Sequence, residues 1–189
     1  MRFLYPALLL LAAACSSPSV DKPTPAAAAP AAESTATPAK GTLPEAQVSK
    51  LFSNSQRPDK FRLQLLGASI LTATAHFSIV TAAGDTVWSE RFPAARLNDG
   101  YGPEPATDEA REALILKRLH AFFESSHFPA AAVAAKATFD PDNNGSQPVW
   151  REVQQRQAPG FQYTLGEEDS RVLGYSARLR KAAAVFTCC

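Results

Sequence analysis

Leu71-Thr72-Ala73-Thr74-Ala75-His76-Phe77-Ser78-Ile79 alternates without a break. Leu71, Ala73, Ala75, Phe77 and Ile79 fall on one side, and Thr72, Thr74, His76 and Ser78 on the other. A period of two marks a β-strand with one buried face. The polar second face meets water, as in an antiparallel sheet; a parallel strand buried on both faces reads as a continuous apolar run. This stretch therefore sets the class of the domain.

Its neighbours extend the pattern. On the N-terminal side, Phe61, Leu63 and Leu65 alternate with Arg62 and Gln64 over Lys60 to Leu66, and Gly67 ends that run. Before it lies a short amphipathic piece, Glu45 to Phe52. On the C-terminal side, Ala83-Gly84-Asp85 turns the chain into Thr86 to Phe92, bringing Trp88 and Phe92 to one face. The three segments read as a meander. After a loop over Pro93 to Ala106, Thr107 caps a predicted helix whose first turn carries Asp108, Glu109 and Glu112, favourable against the dipole. Ile115, Leu116, Leu119, Phe122 and Phe123 recur at spacings of three and four and form one apolar stripe, and the helix is expected to end before Pro129.

Beyond it, the alanine-rich Phe128 to Ala137 is ambiguous and admits a short helix with Pro129 in its first turn. Val149 to Gln155 reads as a helical turn or two, stopped by Pro159-Gly160. Phe161 to Leu165, Arg171 to Ser176 and Ala182 to Cys188 read as three further strands. The expectation is an α+β domain over residues 46–189, with a largely antiparallel sheet of about five to six strands packed against one main helix.

The first fifteen residues carry the address. Arg2 gives a short basic start, Phe3 to Ala14 is an apolar run broken only by Tyr5 and Pro6, and Leu11-Ala12-Ala13-Ala14 stands before Cys15. That run is too short to cross a hydrocarbon core, which takes about 20 residues in a helix. The arrangement resembles the signal peptide and lipobox of bacterial lipoproteins. The resemblance implies removal of residues 1–14, a diacylglyceryl group on the Cys15 thiol, and acylation of the new amino group by a fatty acid such as palmitate. Two or three acyl chains anchor a soluble domain stably. Ser16 and Ser17 follow the cysteine without the Asp that marks inner-membrane retention in this class, so the outer membrane is favoured. Whether the domain faces the periplasm or the exterior stays open.

Residues 15–45 read as the lipidated cysteine and a tether dominated by Pro, Ala, Ser and Thr, with prolines at 18, 23, 25, 30, 38 and 44. Such a composition buries too little apolar surface to offset its ordering entropy and is expected to stay disordered. Its reach is about 90 Å extended and about 30 Å as a coil. What remains is enough for one domain.

Nineteen Lys and Arg against eighteen Asp and Glu leave a net charge of +1, which points to no nucleic-acid partner and no polybasic membrane surface. The partners implied are the membrane, through the lipid on Cys15, and an envelope protein or glycan. Cys188 and Cys189 admit a vicinal disulfide, a bond to another chain, or two free thiols. No helix start or cationic neighbour stands near them to make a reactive thiolate.

Asp140-Pro141-Asp142-Asn143-Asn144-Gly145 matches the opening of a calcium loop, making Asp140, Asp142 and Asn144 weak metal candidates. The closing Glu of such a loop falls at the twelfth position, here Arg151, and the same residues make an ordinary surface turn. Glu167, Glu168 and Asp169 form an acidic cluster, read as a solvated hairpin tip. His76, His120 and His127 show no metal-ligand spacing. Nucleophile-elbow, P-loop and dinucleotide motifs are missing, and the sequence implies no cofactor and no catalytic residue. The function expected is a non-catalytic binding or structural module of the envelope. A small envelope hydrolase and a calcium-stabilised adhesion module are the alternatives.

Overall fold

The computed structural model describes residues 43–98, 102–103, 105–166 and 169–188. The leader, Cys15, the tether to residue 42, Glu167, Glu168 and Cys189 lie outside them. Four strands, β1 (Glu45–Lys50), β2 (Asp59–Leu66), β3 (Thr74–Val80) and β4 (Thr86–Pro93), form one antiparallel sheet in sequence order. The chain then runs through a 3₁₀ turn at Ala94–Leu97, helix α1 (Asp108–Ala121), a second 3₁₀ turn at Ser125–His127, and helix α2 (Gln147–Gln155). Strands β5 (Gly160–Thr164), β6 (Ser170–Ser176) and β7 (Lys181–Cys188) close the fold as a separate antiparallel sheet.

The α+β class and the antiparallel pairing agree with the sequence. The single sheet of five to six strands does not: there are two sheets, of four and three strands. The physical reason lies in their inner faces. Register places Phe61 opposite Ile79 and Leu63 opposite Phe77 in the first sheet, and Phe161 opposite Leu173 in the second. These faces meet ring to ring. Phe161 stands 5.3 Å from both Phe61 and Phe77, and Tyr163 5.4 Å from Phe77, between ring centroids. Ile115, Leu119 and Phe122 of α1 join the same core. Burying aromatic faces against each other removes more apolar surface from water than pairing two edges would.

Local chemistry explains the element ends. The amphipathic piece at Glu45 is strand β1, with Ala46 and Val48 half-buried between exposed Glu45, Gln47 and Ser49. The strand begins three residues later than the alternating pattern, at Thr74. Leu71 and Thr72 belong to the turn, where Thr72 shares a hydroxyl bond of 2.8 Å with Ser69. Thr107 caps α1 as expected, its Oγ1 accepting the Ala110 N–H at 3.2 Å.

The second sheet is covered on its outer face as well. Val149, Trp150 and Val153 of α2 pack with Val133, Ala158 and Val185 into a smaller core. Close approach depends on Gly160 and Gly174, which sit opposite each other in β5 and β6. A Cβ on Gly174 would lie 2.7 Å from Val153, and one on Gly160 2.8 Å from the Ala132 backbone. The alanine-rich segment is irregular and not a helix. It runs beside β5, where Pro129 accepts the Gly160 N–H at 2.9 Å and Ala132 donates to the Ala158 carbonyl at 2.8 Å.

Phe161 is fully buried and touches rings from β2, β3 and the region of α1. Phe161→Ala is expected to lower unfolding stability by about 3–5 kcal/mol in urea titration. A loss below about 1 kcal/mol would show that the two sheets do not share one core.

Candidate functional site

A cleft of about 300 Å³ opens beside β7, and its two walls are held by hydrogen bonds of their own. On one side, Gln154 of α2 reaches the Ala132–Ala137 segment. Its Nε2 donates to the carbonyls of Ala134 at 3.1 Å and Ala137 at 2.8 Å, while Gln157 donates to Val133 at 3.3 Å. Helix α2 is pinned in turn by Glu152. The Glu152 carboxylate accepts the Ser176 hydroxyl at 2.6 Å and the N–H groups of Ala177 and Arg178 at 2.7 and 3.1 Å. Burial pushes its pKa up, but these donors and Arg156 outweigh burial and hold it below the usual carboxylate range.

The other wall is the Asp140–Gly145 loop. Asp140 and Asn144 close it on themselves: the Asp140 N–H donates to Asn144 Oδ1, and the Asn144 N–H to the Asp140 carbonyl, both at 2.8 Å. The loop is then fastened to the outer edge of β7. Thr187 donates its N–H to the Asn143 carbonyl at 2.8 Å, and Asn144 Nδ2 donates to the Val185 carbonyl at 3.1 Å. A Cβ on Gly145 would run into the Ala184 carbonyl oxygen, so only glycine fits there.

Between these walls, Val133, Trp150, Val172, Val185 and Phe186 supply apolar lining, with Thr138, Asp140, Asn143 and Asn144 among the polar groups. Of the three residues singled out as metal candidates, Asp140 and Asn144 line the cleft and Asp142 does not. Asp140 Oδ1 accepts the Asp142 N–H at 3.0 Å and Oδ2 accepts Asn143 Nδ2 at 2.8 Å. The Asn143 amide and these backbone donors draw its pKa below the ordinary value. Among the described residues, no group of three or more His, Cys, Asp or Glu is gathered as a metal set.

A second convergence joins the two sheets. Glu90 lies on the inner face of the first sheet, in register with Phe77, and Arg171 lies opposite Tyr163 on the second. The Tyr163 hydroxyl donates to Glu90 at 2.5 Å, and Arg171 pairs with the same carboxylate. Arg171 also makes two bonds to Asp169, at 2.8 and 2.9 Å, and Arg96 completes the set with 3.1 Å to Asp169 and 2.9 Å to the Leu165 carbonyl. Asp169, expected on a solvated tip, is thus partly buried and paired. Burial, with Glu90, pushes the Tyr163 hydroxyl far above its usual range, so it stays protonated at neutral pH. Two guanidinium groups, two carboxylates and one phenol satisfy one another across the gap between the sheets. The sequence signal was present: Glu90 interrupts the Trp88, Phe92 face at the position where an apolar residue would stand.

The polar row of β3 is less open than its pattern implies, since Ser78 is buried and Thr72 has left the strand. His76 Nε2 lies 3.0 Å from the Ser89 hydroxyl. Burial first, then Arg91 and Arg62, lower its pKa from 6.5. His120 is exposed. His127 Nδ1 donates to the Phe122 carbonyl at 2.9 Å, closing a carbonyl left over at the end of α1. Cys188 is disulfide-bonded. Among the described residues no helix is long and apolar enough to cross a membrane. Comparison with family models, with curated proteins and with solved structures finds no match for this chain.

Glu152→Gln removes the charge from three hydrogen bonds that seat α2. It is expected to lower stability by about 1–2 kcal/mol at neutral pH, and equal urea midpoints for variant and native chain would contradict that role. For His76, the folded pKa lies below 6.5, so the contribution of the neutral ring is whole above that pH and is lost as the pH falls below it. Urea midpoints at about pH 7.5 and about pH 5.5 should therefore drop less for His76→Gln than for the native chain. An identical drop in both would remove His76 as the cause.

Proposed function

We propose that this chain is a lipid-anchored protein of the bacterial envelope, held at Cys15 and favouring the outer membrane. In this reading the α+β domain is a non-catalytic binding module on a Pro- and Ala-rich tether, working on a partner in the envelope. The observation that carries the binding part is the cleft between the Asp140–Gly145 loop and α2. Its walls are fixed by Gln154, Gln157, Asn144 and Thr187 within the chain itself, so a ligand would meet a preformed surface and pay little ordering entropy. The acid and base candidates that converge elsewhere, Glu90, Tyr163, Asp169 and Arg171, are engaged with one another, which favours binding over hydrolysis.

The anchor rests on the residues around Cys15 and is tested in a bacterial host with an outer membrane. Full-length protein grown with an alkyne fatty acid should carry the label and partition into detergent with the outer-membrane fraction. Cys15→Ser should be unlabelled and should leave the membrane fraction. Native protein that takes up no label sinks the anchored reading.

A further inference from the structure

We infer that the cleft beside β7 takes a small amine: a compact apolar body carrying an ammonium head that meets Asp140 at the rim. This rests on the reading above, that the cleft is where the domain binds.

The argument starts from size. About 300 Å³ corresponds to roughly ten water volumes at about 30 Å³ each, which suits a single ring or a branched aliphatic group with one polar substituent. The lining then sets polarity. Val133, Trp150, Val172, Val185 and Phe186 offer the body a surface free of hydrogen-bonding demands save the indole N–H. At the rim, among the described residues, Asp140 is the one ionisable side chain that lines the cleft, and no cation lines it with Asp140. Each Asp140 oxygen takes one bond from its own loop, and a carboxylate oxygen has a second acceptor site. The nearby carbonyls of Ala134 and Ala137 already receive Gln154. The rim thus lacks a positive partner for an anion and holds an acceptor for a donor head. The lowered pKa of Asp140 keeps that acceptor charged through the neutral range.

The chain has two tryptophans, and Trp88 does not line the cleft. Full-length protein carrying Trp88→Phe therefore reports on the cleft through Trp150 alone. The probes are 4-methylbenzylamine, 4-methylbenzyl alcohol and 4-methylbenzoate, alike in body and different in head, titrated at constant ionic strength. The expected result is a saturable change in Trp150 emission with the amine tightest, about threefold to fivefold ahead of the alcohol as befits one exposed ion pair, and the carboxylate weakest. Added salt should weaken the amine and leave the alcohol unchanged. Asp140→Asn should bring all three within about twofold, and the salt series carries the test if that variant fails to fold. Ala137→Phe, which fills the cleft, should remove the response. Equal saturable binding of the three probes would overturn the amine assignment and leave the binding cleft standing. No saturable response to any probe, with the fold intact by circular dichroism, would overturn both.

Discussion

Everything in this fold hangs on the contact between two aromatic faces that lie far apart along the chain. Phe61 and Phe77 from the first sheet and Phe161 and Tyr163 from the second interlock with Phe122 after α1. Each sheet alone is a small meander with one wet face and no independent reason to hold its shape. Stacking their dry faces makes one core out of two marginal halves. The same contact leaves the outer face of the second sheet bare, and α2 settles there over the paired Gly160 and Gly174. The cleft is a by-product of that second layer.

The ionic group at the end of the core has a different task. Placing Glu90 and Arg171 on inner faces sacrifices hydration, and a partly buried pair of this kind contributes little net stability. What it supplies is selectivity. Sliding either strand by one residue would turn its carboxylate or guanidinium to the opposite face and strand the partner inside. Asp169 and Arg96 extend the constraint to the β5–β6 turn and to the segment after β4. The ionic set specifies the alignment that the rings themselves, being interchangeable grease, would tolerate in several versions.

Strands β2 to β7 and helix α1 are legible because their information is local, whereas β1 shows in the sequence only as an amphipathic piece. The period of two in Phe61–Leu65 and in Ala73–Ile79, and the Thr107 cap with its acidic turn, each lie within one element. The division into two sheets was not legible, because it depends on which apolar face meets which across the long segment between Pro93 and Gly160. The alternation of β5 to β7 is the same whether those strands extend a sheet or cover one. Glu90 and Arg171 are legible only in part for a related reason: Glu90 interrupts an apolar face, but a charge in a strand reads as solvent-facing until its opposite number is known. The Asp140 loop stands out in the sequence for its oxygens, and the structure gives it a wall to form; but that wall needs Thr187 and Val185 of β7, whose approach no spacing rule encodes.

The fastening of Asn143, Asn144 and Gly145 along β7 also decides how the molecule behaves in company. A terminal strand with bare amides and carbonyls recruits the next polypeptide it meets. Here Thr187 and Val185 already have their partners in the same chain, so that border is blunted. A second copy therefore finds those two main-chain groups of β7 already taken.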